Sequence, residues 1–148
     1  MSGGDRAGRG KILLLEDDDW EAKALSRAFS KANLDHQIIR VRDGIEGIEF
    51  LNKSVSDSNS DIPDILLVDL NMPRMSGLEF LSELRAHPKL RHMIAFVLTT
   101  SSDVRDIQAA YDHNIAGYIV KETMDSKFQR LIDLMNDYYD TVKLPILH

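Results

Sequence analysis

The sequence predicts an α/β protein, a three-layer sandwich with a parallel sheet between two layers of helices. Three observations predict it. Short apolar runs alternate five times with segments of helical spacing. The runs are apolar throughout, as strands buried on both faces are, instead of alternating with polar residues. A length of 148 residues suits one domain with one substantial core. Alternation of this kind implies right-handed crossovers, hence parallel strands and helices on both faces.

Each element has its own signal. Ile12-Leu15 is the first strand, and Trp20, Ala24, Leu25, Ala28, Phe29 and Ala32 recur at helical spacing after it. Gln37-Val41 reads as the second strand, with Ile45, Ile48 and Leu51 marking the next helix. Lys53 to Pro63 is rich in Ser, Asp and Asn and reads as a solvated loop. Ile65-Val68 is the third strand, followed by Leu78, Leu81 and Leu84 on a helix that ends near His87-Pro88, since the residue before proline disfavours the helical region. Met93-Leu98 is the fourth strand, and Val104, Ile107 and Tyr111 line the helix after it. Ile115-Val120 is the fifth strand, and Phe128, Leu131, Ile132, Met135 and Tyr138 mark the last helix. There is no internal repeat.

Composition narrows the function. A formal charge of −6 argues against a duplex-binding surface, which needs clustered Lys and Arg. The absence of Cys removes disulfides, thiolate metal sites and thiol nucleophiles. Residues 1–10 are Gly- and Arg-rich, are expected to be flexible, and lack the apolar stretch of a signal peptide. No apolar run has the length of a bilayer span, so a cytoplasmic protein with neither membrane nor nucleic-acid partners is expected. Gly10-Lys11 resembles the end of a phosphate-binding loop, but Asp5 and Ile12 stand where Gly and Ser/Thr are required. The histidines at 36, 87, 92, 113 and 148 show no ligand spacing and are expected at the surface.

The strand ends carry the chemistry. Glu16-Asp17-Asp18-Asp19 follows the first strand and Asp69 follows the third, just before Asn71-Met72-Pro73-Arg74-Met75-Ser76-Gly77. Thr99-Thr100-Ser101-Ser102 ends the fourth strand and Lys121 the fifth. In an open parallel sheet these carboxyl ends share one edge, where the reactive crevice lies. Carboxylates brought together repel unless a cation sits between them, and a few hard oxygens open to water suit Mg²⁺. A carboxylate can itself attack phosphorus. Mg²⁺, the Lys121 ammonium and a threonine hydroxyl would neutralise charge on the transferring group, which completes a set for phosphoryl transfer onto Asp69.

Plainer roles compete for each residue. Asp19, and Asp18 beside it, suit a helix N-terminus as caps, whereas Glu16 and Asp17 lie too close to the strand end for capping alone. Asp69 alone would read as a turn former. Thr99 and Thr100 point to opposite sides, so one reaches the site and the other lies on its rim, with Ser101 or Ser102 left as an N-cap. Lys121 alone would be a solvated lysine, and Tyr118 alone a core aromatic.

The stretches ILLLEDD, VDLNMPRMSGLEFL, VLTTSS and GYIVK, in this order and at this spacing, resemble the receiver domains of two-component response regulators. The resemblance covers nearly the whole chain, with the receiver over residues 11–142 and a C-terminal extension over 143–148. It implies a flavodoxin- and chemotaxis-regulator-like fold with strand order 2-1-3-4-5. It implies Asp69 as phosphoacceptor, and Glu16, Asp17, Asp69 and the Asn71 backbone carbonyl as ligands of Mg²⁺. Thr99 matches the switch hydroxyl, Lys121 the phosphate-pairing lysine and Tyr118 the aromatic that changes rotamer on activation. One departure stands out. Most receivers carry Pro after the lysine, often in cis, and here Glu122 follows. A cis bond to a residue other than Pro costs about 2.5–4 kcal/mol, so either the bond is trans with a shifted turn or cis is kept under strain.

The tail Asp137-Tyr138-Tyr139-Asp140-Thr141-Val142-Lys143-Leu144-Pro145-Ile146-Leu147 resembles that of the phytochrome-associated branch of single-domain regulators. That branch implies a phytochrome-type histidine kinase as donor and no attached output domain. It also implies a homodimer through the fourth-helix, fifth-strand and fifth-helix face with the tail. The plainer expectation is that Val142, Leu144 and Ile146 fold back on their own domain. Two other classes stand beside this one. A haloacid-dehalogenase-type phosphatase would place a second Asp two positions after its nucleophile, where Asn71 stands. A receiver-like module that only interacts or dimerises would lack the acceptor or the lysine, and both are here.

Overall fold

A computed structural model describes residues 10–32, 36–57, 62–125 and 128–146. Its elements run β1 (Lys11–Leu15), α1 (Asp19–Lys31), β2 (Gln37–Val41), α2 (Gly44–Ser56), β3 (Ile65–Val68), α3 (Gly77–Ala86), β4 (Ile94–Thr99), α4 (Val104–Tyr111), β5 (Gly117–Val120) and α5 (Gln129–Thr141). A 3-10 turn, Lys121–Thr123, comes directly after β5. The sheet is parallel, as the alternation of strands and helices predicts, with the order β2-β1-β3-β4-β5 that the family resemblance implies.

Two apolar layers explain why the central strands are apolar throughout. Alternate residues of a strand face opposite sides. Leu13, Leu15, Leu66, Val68, Ala95 and Val97 face the layer that holds α2, α3 and α4. Ile12, Leu14, Ile65, Leu67, Phe96 and Leu98 face the layer of α1 and α5. Only β1, β3 and β4 are buried on both faces; the edge strands β2 and β5 are mostly half-buried.

Several expectations need correction. Trp20 is 85% exposed and Ala24 is exposed as well, whereas the expected Leu25 and Phe29 are buried, joined by Ala22. The helix is capped by Asp18, whose carboxylate accepts from the amides of Trp20 and Glu21, so Asp19 lies inside the first turn. Helix α2 continues through Ser56, so the first residues of the expected Lys53–Pro63 loop are helical; 58–61 lie outside the described residues. Neither Ser101 nor Ser102 caps α4; Asp103 does, accepting from the Arg105 amide. His36 is not a plain surface residue: it is half-buried, stacks on Tyr139 at 4.5 Å, and lies 3.2 Å from the Asn136 side chain. In the tail, Leu144 does pack on its own domain while Val142 and Ile146 stay exposed. The expected flexible segment, except Gly10, and Leu147 and His148 lie outside the described residues.

Candidate functional site

Strand register builds the site. Leu15 pairs with Val68, so the next residues, Glu16 and Asp69, lie side by side, and the Asp69 amide donates to the Leu15 carbonyl at 3.0 Å. Thr99 pairs with Val120, which carries Lys121 to the same edge. Glu16, Asp69 and Thr99 are buried, whereas Asp17 is exposed at the mouth.

Thr99 Oγ1 donates to Asp69 Oδ1 at 2.8 Å, and the Asn71 amide donates to the same oxygen at 3.1 Å. Lys121 Nζ lies 3.4 Å from Asp69 Oδ2 and 2.7 Å from Glu16 Oε1. The Lys121–Glu122 peptide is trans, since there is no cis bond among the described residues, and the lysine still reaches the acid cluster. Tyr118 is half-buried, and its hydroxyl donates to the Ser101 carbonyl at 2.9 Å, which ties it to the loop after β4 and not to Asp69. Thr100 is exposed on the rim, as expected from alternation.

Electrostatics derive from burial and neighbours. Burial pushes the Glu16 carboxyl up to about 7, with the Asp69 charge adding to the effect and the Lys121 hydrogen bond opposing it. Burial disfavours the Lys121 ammonium, but its bonds to Glu16 and Glu21 and the Asp69 charge outweigh this and hold its proton above the usual lysine range. Glu16, Asp17 and Asp69 each offer a carboxylate oxygen, all within 4.8 Å of one another. Three hard oxygens, one at an exposed mouth, fit a small divalent cation that keeps part of its water.

Sequence reasoning missed two neighbours. Glu21, in the first turn of α1, lies 2.6 Å from Lys121 Nζ. Arg40 on β2 donates through Nε to the Glu16 carbonyl at 2.7 Å and through Nη1 to Asp19 at 2.8 Å, fixing the acidic loop from the sheet edge. The signal for Arg40 was a charged residue inside the run Gln37-Val41; Glu21 had none beyond an acid suited to a helix N-terminus.

An acid cluster, a hydroxyl and an ammonium thus meet on the carboxyl edge of a five-stranded parallel sheet, the arrangement that the resemblance to receiver domains implies. The response regulator receiver domain pattern matches residues 12–133, and the chain belongs to that family, the receivers of two-component signalling. It is 31% identical over 135 residues to Response regulator Rcp1 of Synechocystis sp., covering 90% of this chain and 92% of the relative. The phosphorylated cyanobacterial phytochrome response regulator RcpA superposes with a TM-score of 0.80 at 30% identity, over 93% of this chain and 99% of that one. The Mn²⁺-bound form of Rcp1 gives a TM-score of 0.79 at 30% identity, with the same coverage. Receivers take their phosphoryl group from sensor histidine kinases, and no helix among the described residues is long and apolar enough to cross a membrane.

Proposed function

We propose that Asp69 is the phosphoacceptor of this receiver and that the reaction needs Mg²⁺ held by Glu16, Asp17, Asp69 and the Asn71 backbone carbonyl. The observation that carries this is the bonding of Asp69 to Thr99 and Lys121 beside a three-carboxylate cluster. A carboxylate oxygen of Asp69 attacks the phosphorus of a phosphohistidine, the P–N bond breaks, and the imidazole leaves with the bonding pair. Bound Mg²⁺ would supply positive charge at the phosphoryl oxygens. Thr99 and Lys121 give up their bonds to Asp69 and turn to those oxygens. Tyr118 is the aromatic that follows Thr99, its hydroxyl tether to Ser101 exchanging as the loop shifts. The receiver spans 11–142 and the extension 143–148.

The donor is proposed to be a phytochrome-type histidine kinase, with the cytoplasm as compartment, on the strength of the likeness to Rcp1 and RcpA. The functional unit is proposed to be a homodimer through α4, β5, α5 and the tail. Support comes from exposed apolar side chains on these elements: Val104 at 68% and Ile146 at 78%, with Tyr111, Leu134 and Val142 also exposed. Apolar patches of this kind mark interaction sites.

Intact mass after incubation with acetyl phosphate tests the acceptor, with and without Mg²⁺, on wild type and Asp69→Asn. One phosphoryl adduct that needs both Mg²⁺ and Asp69 is expected. Equal labelling of Asp69→Asn would sink the assignment, and no adduct in any condition would leave the interaction-only module as the better reading.

A further inference from the structure

The Lys121 ammonium has three N–H donors and three carboxylates around it. Glu16 Oε1 lies at 2.7 Å, Glu21 Oε1 at 2.6 Å and Asp69 Oδ2 at 3.4 Å, so the acceptor is the most distant of the three. Two of these acids, Glu16 and Asp69, belong to the cluster that can hold a metal; Glu21 does not. A dication held there would compete with Lys121 for Glu16 and Asp69, whereas Glu21 stands outside that set. Glu21 also differs in exposure: its side chain is 41% exposed, against 12% for Lys121. It holds the lysine from the solvent side, on a helix whose first turn is fixed by the Asp18 cap.

We propose that Glu21 is a positioning residue that holds Lys121 on α1 and competes with the phosphoryl group on Asp69 for it. The inference rests on Asp69 being the acceptor. In the unphosphorylated protein the lysine's shortest bond is to Glu21, so a swing toward phosphoryl oxygens strains that bond as well as giving up the one to Asp69. The contact thus slows transfer onto Asp69 and weakens the hold on the phosphoryl group afterwards. A half-exposed ion pair contributes a modest amount, enough for a rate effect of about two- to fivefold and not for an on–off effect.

The test is a time course of phosphorylation by acetyl phosphate at saturating Mg²⁺, read by intact mass, on wild type, Glu21→Gln, Glu21→Asp, Lys121→Ala and Glu21→Gln/Lys121→Ala. Glu21→Gln is expected to phosphorylate about two- to fivefold faster, the size of one such ion pair. Glu21→Asp, which keeps the charge, should restore a rate near wild type. In the Lys121→Ala background Glu21→Gln should change nothing, because a competitor has no effect once the contested group is gone. A rate for Glu21→Gln equal to wild type would overturn the inference while leaving Asp69 as acceptor. The same acceleration in the Lys121→Ala background would also overturn it, since that would be a general charge effect on an anionic donor. Failure of wild type to label at all would instead remove the acceptor reading beneath it.

Discussion

Asp43 shows how one side chain is asked to serve two structures at once. It is buried at the start of α2, accepts from the Glu46 amide at 2.9 Å and receives the Arg74 guanidinium at 2.8 Å and 3.2 Å. Arg74 sits in the loop that follows Asp69 and adopts the left-handed region at φ 64°. Burial alone would raise the Asp43 carboxyl, but the Arg74 bond and the amide bonds outweigh it and hold the carboxyl below its ordinary range. The unfolded chain would titrate near about 3.9. A carboxyl depressed in the folded state adds stability above the unfolded value and loses it as pH falls through the folded value. Urea midpoints for wild type and Asp43→Asn should therefore differ at pH 7 and converge as pH drops below about 4. A difference that stays constant over this range would show that the pair does not act through its charge.

At the scale of elements, α3 is built against the acceptor loop. Ser76 and Glu79 form a reciprocal capping box, with Glu79 N–H to Ser76 Oγ at 3.2 Å and Ser76 N–H to Glu79 Oε1 at 2.9 Å. Ser76→Ala should cost about 1 kcal/mol in denaturant unfolding. Gly77 allows the close approach: its amide donates to the Leu70 carbonyl at 3.0 Å, and a Cβ there would fall 2.7 Å from the Leu70 Cα. Gly77→Ala should cost about 1–3 kcal/mol, as overpacking does, and slow labelling of Asp69 because the loop must move. A variant as stable and as fast as wild type would show that the loop gives way freely. Elements like these were legible because a strand of four or five apolar residues has few other uses. Their edges were less so. The acidic run 16–19 offers several caps, and only the turn's geometry selects Asp18. In α1 the expected core positions Leu25 and Phe29 are buried, but Trp20 and Ala24 lie on the solvent side, because helical spacing alone does not say where the apolar stripe ends. Glu21 and Arg40 were invisible for a different reason. Their partners lie on other elements, so the contacts depend on distances that no local pattern carries.

For the whole molecule, the parallel sheet does most of the gathering of the site. Once strands one, three, four and five are parallel neighbours, their carboxyl ends must meet, and Glu16, Asp69, Thr99 and Lys121 meet as the sequence implied. The surface was harder to foresee: Val104 and Tyr111 have helical spacing fit for a core, yet both are exposed, and α4 buries only Ala110. This exposure is what a second copy would cover. Sedimentation of wild type against Val104→Lys/Ile146→Lys should show a dimer giving way to monomer, with phosphorylation of Asp69 retained. An unchanged dimer in the double variant would move the contact to another face, and a monomeric wild type would remove it.

Trp20, the chain's one tryptophan, is 85% exposed and lies two residues past the Asp18 cap, next to the glutamate that holds Lys121. An indole in that position emits as one bathed in water and is reached freely by a soluble quencher such as acrylamide. A partner that covers the first turn of α1 would shield it. If the proposed donor reaches Asp69 past the first turn of α1, the protein carries its own optical reporter there, and the encounter can be followed by fluorescence with no label attached.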